Sequence, residues 1–204
     1  MPDRAGALAA AANGGDRAPA QARAFAAAHA AMAAGCRFLI ARADRPVGVP
    51  AIRQPHRGVA MRRAGNCLRE LDRMLVVLID ASGHGDGAPP RVHGVYARDG
   101  DAAHKLHRIA ALRRHFAHDA PRLRAIGRLR AMACGDMAVE AGSRPQVDLA
   151  VATRGLAHAD DTAVNAMVIG DAALGAIAEF YLVLADRMRA VCAGTPRGAV
   201  ALTD

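Results

Sequence analysis

The chain has 204 residues, room for one ordinary domain with extensions. Hydrophobic residues make up 52% of it but aromatics only 3%, which argues against RNA-binding modules built on exposed stacking platforms. The formal net charge is +8, a balance that suits an anionic partner better than a cationic one.

The four cysteines, Cys36, Cys67, Cys134 and Cys192, stand far apart, with no Cys-x-x-Cys and no close Cys/His pair. That spacing argues against a structural zinc site and fits reduced thiols. No metal and no cofactor is expected. The apolar run Ala7–Ala12 is short for a signal peptide and is followed by Asn-Gly-Gly, so a cytoplasmic location is expected.

Residues 1–19 are rich in Ala and Gly and read as a disordered or loosely helical extension. Residues 20–58 form an N-terminal helix, Gln21–Ala43, and a connector, Asp44–Gly58, that holds Pro46, Pro50 and Pro55. The main domain is expected over 59–192. Its first helix is Val59–Ala81, where Leu68, Leu71, Leu75 and Leu78 recur at steps of three and four. Ser82–Asp101 is a long Gly/Pro-rich loop.

Ala102–His118 reads as one helix, with Ala102, Leu106, Ile109, Ala110, Phe116 and Ala117 on its core side. Arg113 falls near the centre of that stripe. It would therefore need an internal partner, with Glu70 the first candidate and Asp72 expected on the surface. His104, His107, Arg114, His115 and His118 lie on the opposite side. Asp119-Ala120-Pro121 then starts a second helix, with Asp as N-cap, running to about Cys134 and stopped by Gly135. Its Leu123, Ile126, Leu129 and Met132 face a core, and Arg122, Arg124, Arg128 and Arg130 form a basic rim.

Met137–Pro145 is a connector, and Gln146–Ala157 reads as strand or helix, with helix preferred. Asp160–Cys192 reads as one long apolar helix, kinked at Gly170 or Gly175. Asp171 and Glu179 interrupt its run Ala166–Ala185, so a buried core helix is expected rather than a membrane span. Residues 193–204 are a tail. The fold class is all-α, a bundle of about five helices.

Charge is concentrated in one place. Between His104 and Arg130 stand Lys105, Arg108, Arg113, Arg114, Arg122, Arg124, Arg128 and Arg130 against a single acid, Asp119, so this segment carries +7 of the chain's +8. Localised positive charge of this kind is the footprint of a phosphate-rich partner. The plainer explanation is a solvated arginine face on a structural helix.

Arg113-Arg-His-Phe-Ala-His118 has the form R-x4-H. It resembles the signature of the HEPN family, small all-α domains that include ribonucleases of toxin–antitoxin and antiviral systems. The resemblance takes in this signature, the Leu-rich helix Cys67–Asp80 before it and the helical hairpin after it. It implies an RNA partner, a homodimer, and an antitoxin or other protein partner. It also implies a metal-independent endoribonuclease centre formed by Arg113 and His118, assisted by Arg114 and His115, with Arg114 standing where the family often has Asn. Lys105, Arg108, Arg122, Arg124, Arg128 and Arg130 would hold the nucleic acid.

The chemistry is coherent. RNA cleavage without a metal needs a base for the ribose 2′-hydroxyl proton and a cation for the phosphate. An imidazole titrates near neutrality, and a guanidinium offers a bidentate fork. On one continuous helix, however, Arg113 and His118 point about 140° apart. They converge only if the helix bends or ends near Phe116, or if a second subunit completes the site. The alternative is a non-enzymatic helical interaction module with a structural R-x4-H element. A remoter one comes from Leu75–Ala88, where Asp80-Ala-Ser-Gly-His-Gly85 resembles the metal-binding turn of SpoIIE-like phosphatases, and Asp160-Asp161-Thr162 their late acidic motif. That fold needs many strands, which the sequence does not offer.

Overall fold

A computed structural model describes residues 4–44, 57–83, 102–135, 145–154 and 169–194, with side chains from residue 19 in the first stretch and from residue 58 in the second. Most of the described residues are helical and none lies in a strand. The elements are α1 Arg4–Ala43, α2 Arg57–Ala81, α3 Ala102–Arg108, α4 Ala110–Phe116, a 3-10 turn Ala117–Asp119, α5 Ala120–Cys134, α6 Pro145–Thr153 and α7 Asp171–Gly194. Most of the loop Ser82–Asp101, the connectors around residues 45–56 and 136–144, the segment 155–168 and the tail 195–204 lie outside the described residues.

The core is where the apolar periodicity put it. Leu68, Leu75 and Leu78 on α2 are fully buried and Leu71 nearly so. They meet Met32, Cys36 and Leu39 of α1, Leu123, Ile126 and Leu129 of α5, and Ile177, Tyr181, Leu184 and Met188 of α7 in one continuous cluster. Helix α1 packs on α7 and α2, and α5 on α2 and α6. α1 and α7 run antiparallel, as shown by Ala43 beside Gly175 at one end and His29 bonded to Asp186 at the other. By length and composition Pro19–Ala43 is apolar enough to cross a membrane, and 28% of its apolar 18-residue window is buried by its neighbours. Phe38, on its outer side, is 65% exposed.

Three elements differ from expectation. Helix α1 runs on through the Ala-rich stretch assigned to the extension, starting at Arg4 rather than Gln21. Helix α7 begins at Asp171, after the non-helical Ile169 and Gly170, and Gly175 sits inside it as a packing position. A Cβ on Gly175 would lie 2.5 Å from the Ala43 Cβ, so the glycine permits the close approach of α1.

The third difference matters most for function. The expected helix Ala102–His118 is broken at Ile109, whose φ of −81° and ψ of 104° are extended. The backbone stays satisfied across the break. Ile109 N–H donates to Lys105 O, and Ile109 O accepts from the N–H of Leu112 and Arg113 at 3.0 and 2.8 Å. The break resets the helical phase. The inward positions become Ala102, Ala103, Leu106 and Ile109, then Leu112 and Phe116, while Ala110 and Ala117 are exposed. With Leu112 and Phe116 inward, Arg113 points about 80° from their mean direction and emerges into solvent.

Candidate nucleic-acid interface

Arg113 is exposed and has no acidic partner among the described residues. The carboxylates expected for it are used elsewhere. Glu70 lies 3.9 Å from Arg73 one turn along α2. Asp72, expected on the surface, is buried and forms an ion pair with Arg130 of α5.

Helix α4 ends at Phe116, whose φ of −121° and ψ of 12° leave the helical region, and the chain tightens into the 3-10 turn that carries His118. The helix thus stops where convergence of Arg113 and His118 requires it to stop. Asp119 occupies the N-cap position of α5, and Pro121 lies in the first turn as the sequence indicates. Yet the Asp119 side chain makes no capping bond. It is buried and accepts a hydrogen bond from Arg187 Nη1 of α7 at 2.8 Å. At the other end Gly135, with φ of 72°, closes α5, its N–H directed to Ala131 O and Met132 O.

The eight cations of the basic segment divide into two sets. Four are engaged by the protein. Lys105 pairs with Asp80 at the end of α2. Arg128 holds Asp148 of α6 in a bidentate grip, Nε to Oδ2 at 2.9 Å and Nη2 to Oδ1 at 2.6 Å. That bond raises the pKa of Arg128 above its ordinary value. Arg130 holds Asp72.

Arg122 does not stand on a rim. Its guanidinium lies 4.2 Å from the centroid of the Phe180 ring and donates to Ala152 O at 2.7 Å, near the C-terminus of α6, and to Ala176 O at 3.2 Å. Burial, helped by nearby Arg154, pushes its pKa down to about 10, against an upward pull from Asp119 and Glu179. It remains a cation at neutral pH.

The other four, Arg108, Arg113, Arg114 and Arg124, are exposed and have no acidic partner among the described residues. Arg114 Nε donates to His115 Nε2 at 3.3 Å. His104, His107, His115 and His118 are exposed on the same run of helices.

Arg113 and His107 also line one small open recess, over a floor of Leu106, Phe116 and Leu123. It has room for about one water-sized group, so a nucleobase could not be buried there. His107 is the residue that sequence reasoning passed over. It was visible only as one of several outward imidazoles, and its meeting with Arg113 depends on the break at Ile109. Among the described residues no three His, Cys, Asp or Glu side chains gather in a way that could hold a metal ion. The first acid of the phosphatase-like turn, Asp80, lies in the last turn of α2 on Lys105. The rest of that turn, and Asp160–Thr162, lie outside the described residues.

No protein-family model, curated protein or solved structure matches the chain.

Proposed function

We propose that the α3–α5 face binds the phosphate backbone of RNA and that Arg113 and His118 are the centre of a metal-independent, HEPN-like endoribonuclease. The observation that carries this reading is the separation of the cations. Lys105, Arg122, Arg128 and Arg130 are engaged within the bundle, while Arg108, Arg113, Arg114 and Arg124 face solvent with no carboxylate partner among the described residues. Solvated arginines that no described acid engages suit phosphate oxygens. The exposure of Arg113 also removes the reason to treat it as a buried structural charge. With a recess too small for a base and few aromatics, recognition would be of backbone rather than sequence.

In this mechanism His118 takes the proton from a ribose 2′-hydroxyl as the oxygen attacks the adjacent phosphorus. The O2′–P bond forms, the P–O5′ bond breaks, and Arg113 holds the phosphoryl oxygens as charge builds there. The leaving O5′ accepts a proton from the imidazolium form of His107, our choice for the acid because it shares the recess with Arg113. The products are a 2′,3′-cyclic phosphate and a 5′-hydroxyl. A homodimer that brings two such turns together would complete each site with a second set of Arg113 and His118.

The test is cleavage of single-stranded RNA by the wild-type protein, His118→Ala and Arg113→Ala. His118→Ala is expected to slow cleavage by about a hundredfold or more while RNA affinity changes little, because a base acts on proton transfer and not on ground-state binding. Wild-type activity is expected to survive a chelator. Full activity in His118→Ala, or a strict metal requirement, would sink the mechanism. Binding without any cleavage would leave a basic helical RNA-binding module.

A further inference from the structure

Helix α7 is remote in sequence from R-x4-H, yet one of its side chains spans the turn that carries the motif. Arg187 Nη2 donates to His115 O at 2.6 Å, and Nη1 donates to Asp119 Oδ2 at 2.8 Å. Its guanidinium carbon lies 5.2 Å from the centroid of the Phe116 ring between them. Each contact answers a local need. His115 lies in the last turn of α4, where carbonyls lack intrahelical partners. Asp119 is a buried carboxylate that makes no capping bond to its own helix. Phe116 presents an aromatic face to a cation.

We propose that Arg187 is a positioning residue: by tying the end of α4 to the start of α5, it fixes the turn that carries His118 and sets that imidazole relative to Arg113. This rests on the reading of the turn as a ribonuclease centre. The planar fork is what the role requires, because two acceptors and a ring are served at once. A lysine ammonium can serve one acceptor as a point charge but cannot reproduce the fork. No role in touching RNA is needed, since the guanidinium is committed to protein groups.

The test compares full-length wild type, Arg187→Lys and Arg187→Gln, with a short oligouridylate as probe. Amide exchange at Ala117, His118 and Ala120 is expected to rise about tenfold or more relative to amides of α1 in Arg187→Gln, and less in Arg187→Lys. kcat is expected to fall about tenfold or more in both variants, with KM within about threefold, because lost alignment acts on the chemical step. The salt dependence of oligouridylate binding should keep the wild-type slope. A direct phosphate ligand would instead lower that slope by about 0.7 on a single strand.

Unchanged exchange at the turn overturns the proposal, and so does a reduced slope with an intact turn, which would make Arg187 a phosphate contact. If the wild-type protein itself does not cleave the probe, the ribonuclease reading fails and the positioning role falls with it. That outcome is read on the wild type and is distinct from failure of the variants.

Discussion

Cys36 shows how position decides the chemistry of a single side chain. It is fully buried on the inward face of α1, near Met32 and Leu39 in sequence, and burial pushes its thiol up to about 12 against a smaller downward pull from Arg37. The sign of the pH effect follows. Between the ordinary value of 9.0 and about 12 the unfolded chain sheds a proton that the folded chain keeps. The stabilising contribution is therefore complete below about 9 and is lost as pH rises towards about 12. The thiolate is the nucleophile, and Cys36 is both protonated and enclosed. Alkylation by iodoacetamide at pH 8, mapped by mass spectrometry, is expected to spare Cys36 in the native protein and to label it in urea. Prompt labelling of the native protein would contradict the packing of α1. Cys67, partly buried, is raised by the same cause, with Arg63 and Arg42 pulling the other way.

Close contacts between helices are set by two glycines. A Cβ on Gly65 of α2 would lie 2.9 Å from Cys134 Sγ and 3.0 Å from the carbonyl carbon of Ala133, and one on Gly175 would lie 2.5 Å from the Ala43 Cβ. Gly65→Ala and Gly175→Ala should each destabilise by about 1–3 kcal/mol, because neither contact can yield without moving backbone. Gly58→Ala, near the start of α2 in open space, should be neutral or stabilising by up to about 1 kcal/mol. Urea midpoints of the three variants check this, and equal midpoints would refute it.

These glycines also mark the limit of what the sequence reveals about elements. The leucine steps of α2 and the stop at Gly135 are local signals and can be read directly. The role of Gly175 depends on α1, more than a hundred residues away, so from sequence it looks like a kink. Ile109 gives no warning at all. A buried β-branched residue adopts the extended conformation there without Gly or Pro, and the phase of every side chain after it changes. That single step moved Arg113 from the expected core to the surface.

At the scale of the whole molecule, the +7 segment was legible as a count but not as a surface. Which cations face solvent depends on Asp72, Asp80 and Asp148, supplied by α2 and α6, and on Phe180 of α7. None of these pairings has a local signature. The division can be tested by two charge-reversal triples. In Arg108→Glu/Arg114→Glu/Arg124→Glu the altered side chains are exposed and no described carboxylate loses a partner, so helical circular dichroism should persist while RNA binding at low salt is lost. If all four exposed arginines, Arg113 included, contact phosphates, the wild-type log–log salt slope should approach about −3 on a single strand.

Arg122→Glu/Arg128→Glu/Arg130→Glu should behave in the opposite way. It removes the Arg130 pair from Asp72 and both Arg128 hydrogen bonds from Asp148, carboxylates whose side chains are each 12% exposed, and sets new carboxylates beside them. It also removes the cation from Phe180 and the donors from Ala152 O and Ala176 O. Broken buried pairs cost about 3–5 kcal/mol, and the solvent-facing side of Arg128 lowers its share. The combined loss is comparable with the whole stability of a domain, about 5–15 kcal/mol, so this triple should unfold. A first triple that binds RNA like wild type, or a second that keeps the wild-type urea midpoint, would show that the exposed and engaged sets have been assigned the wrong roles.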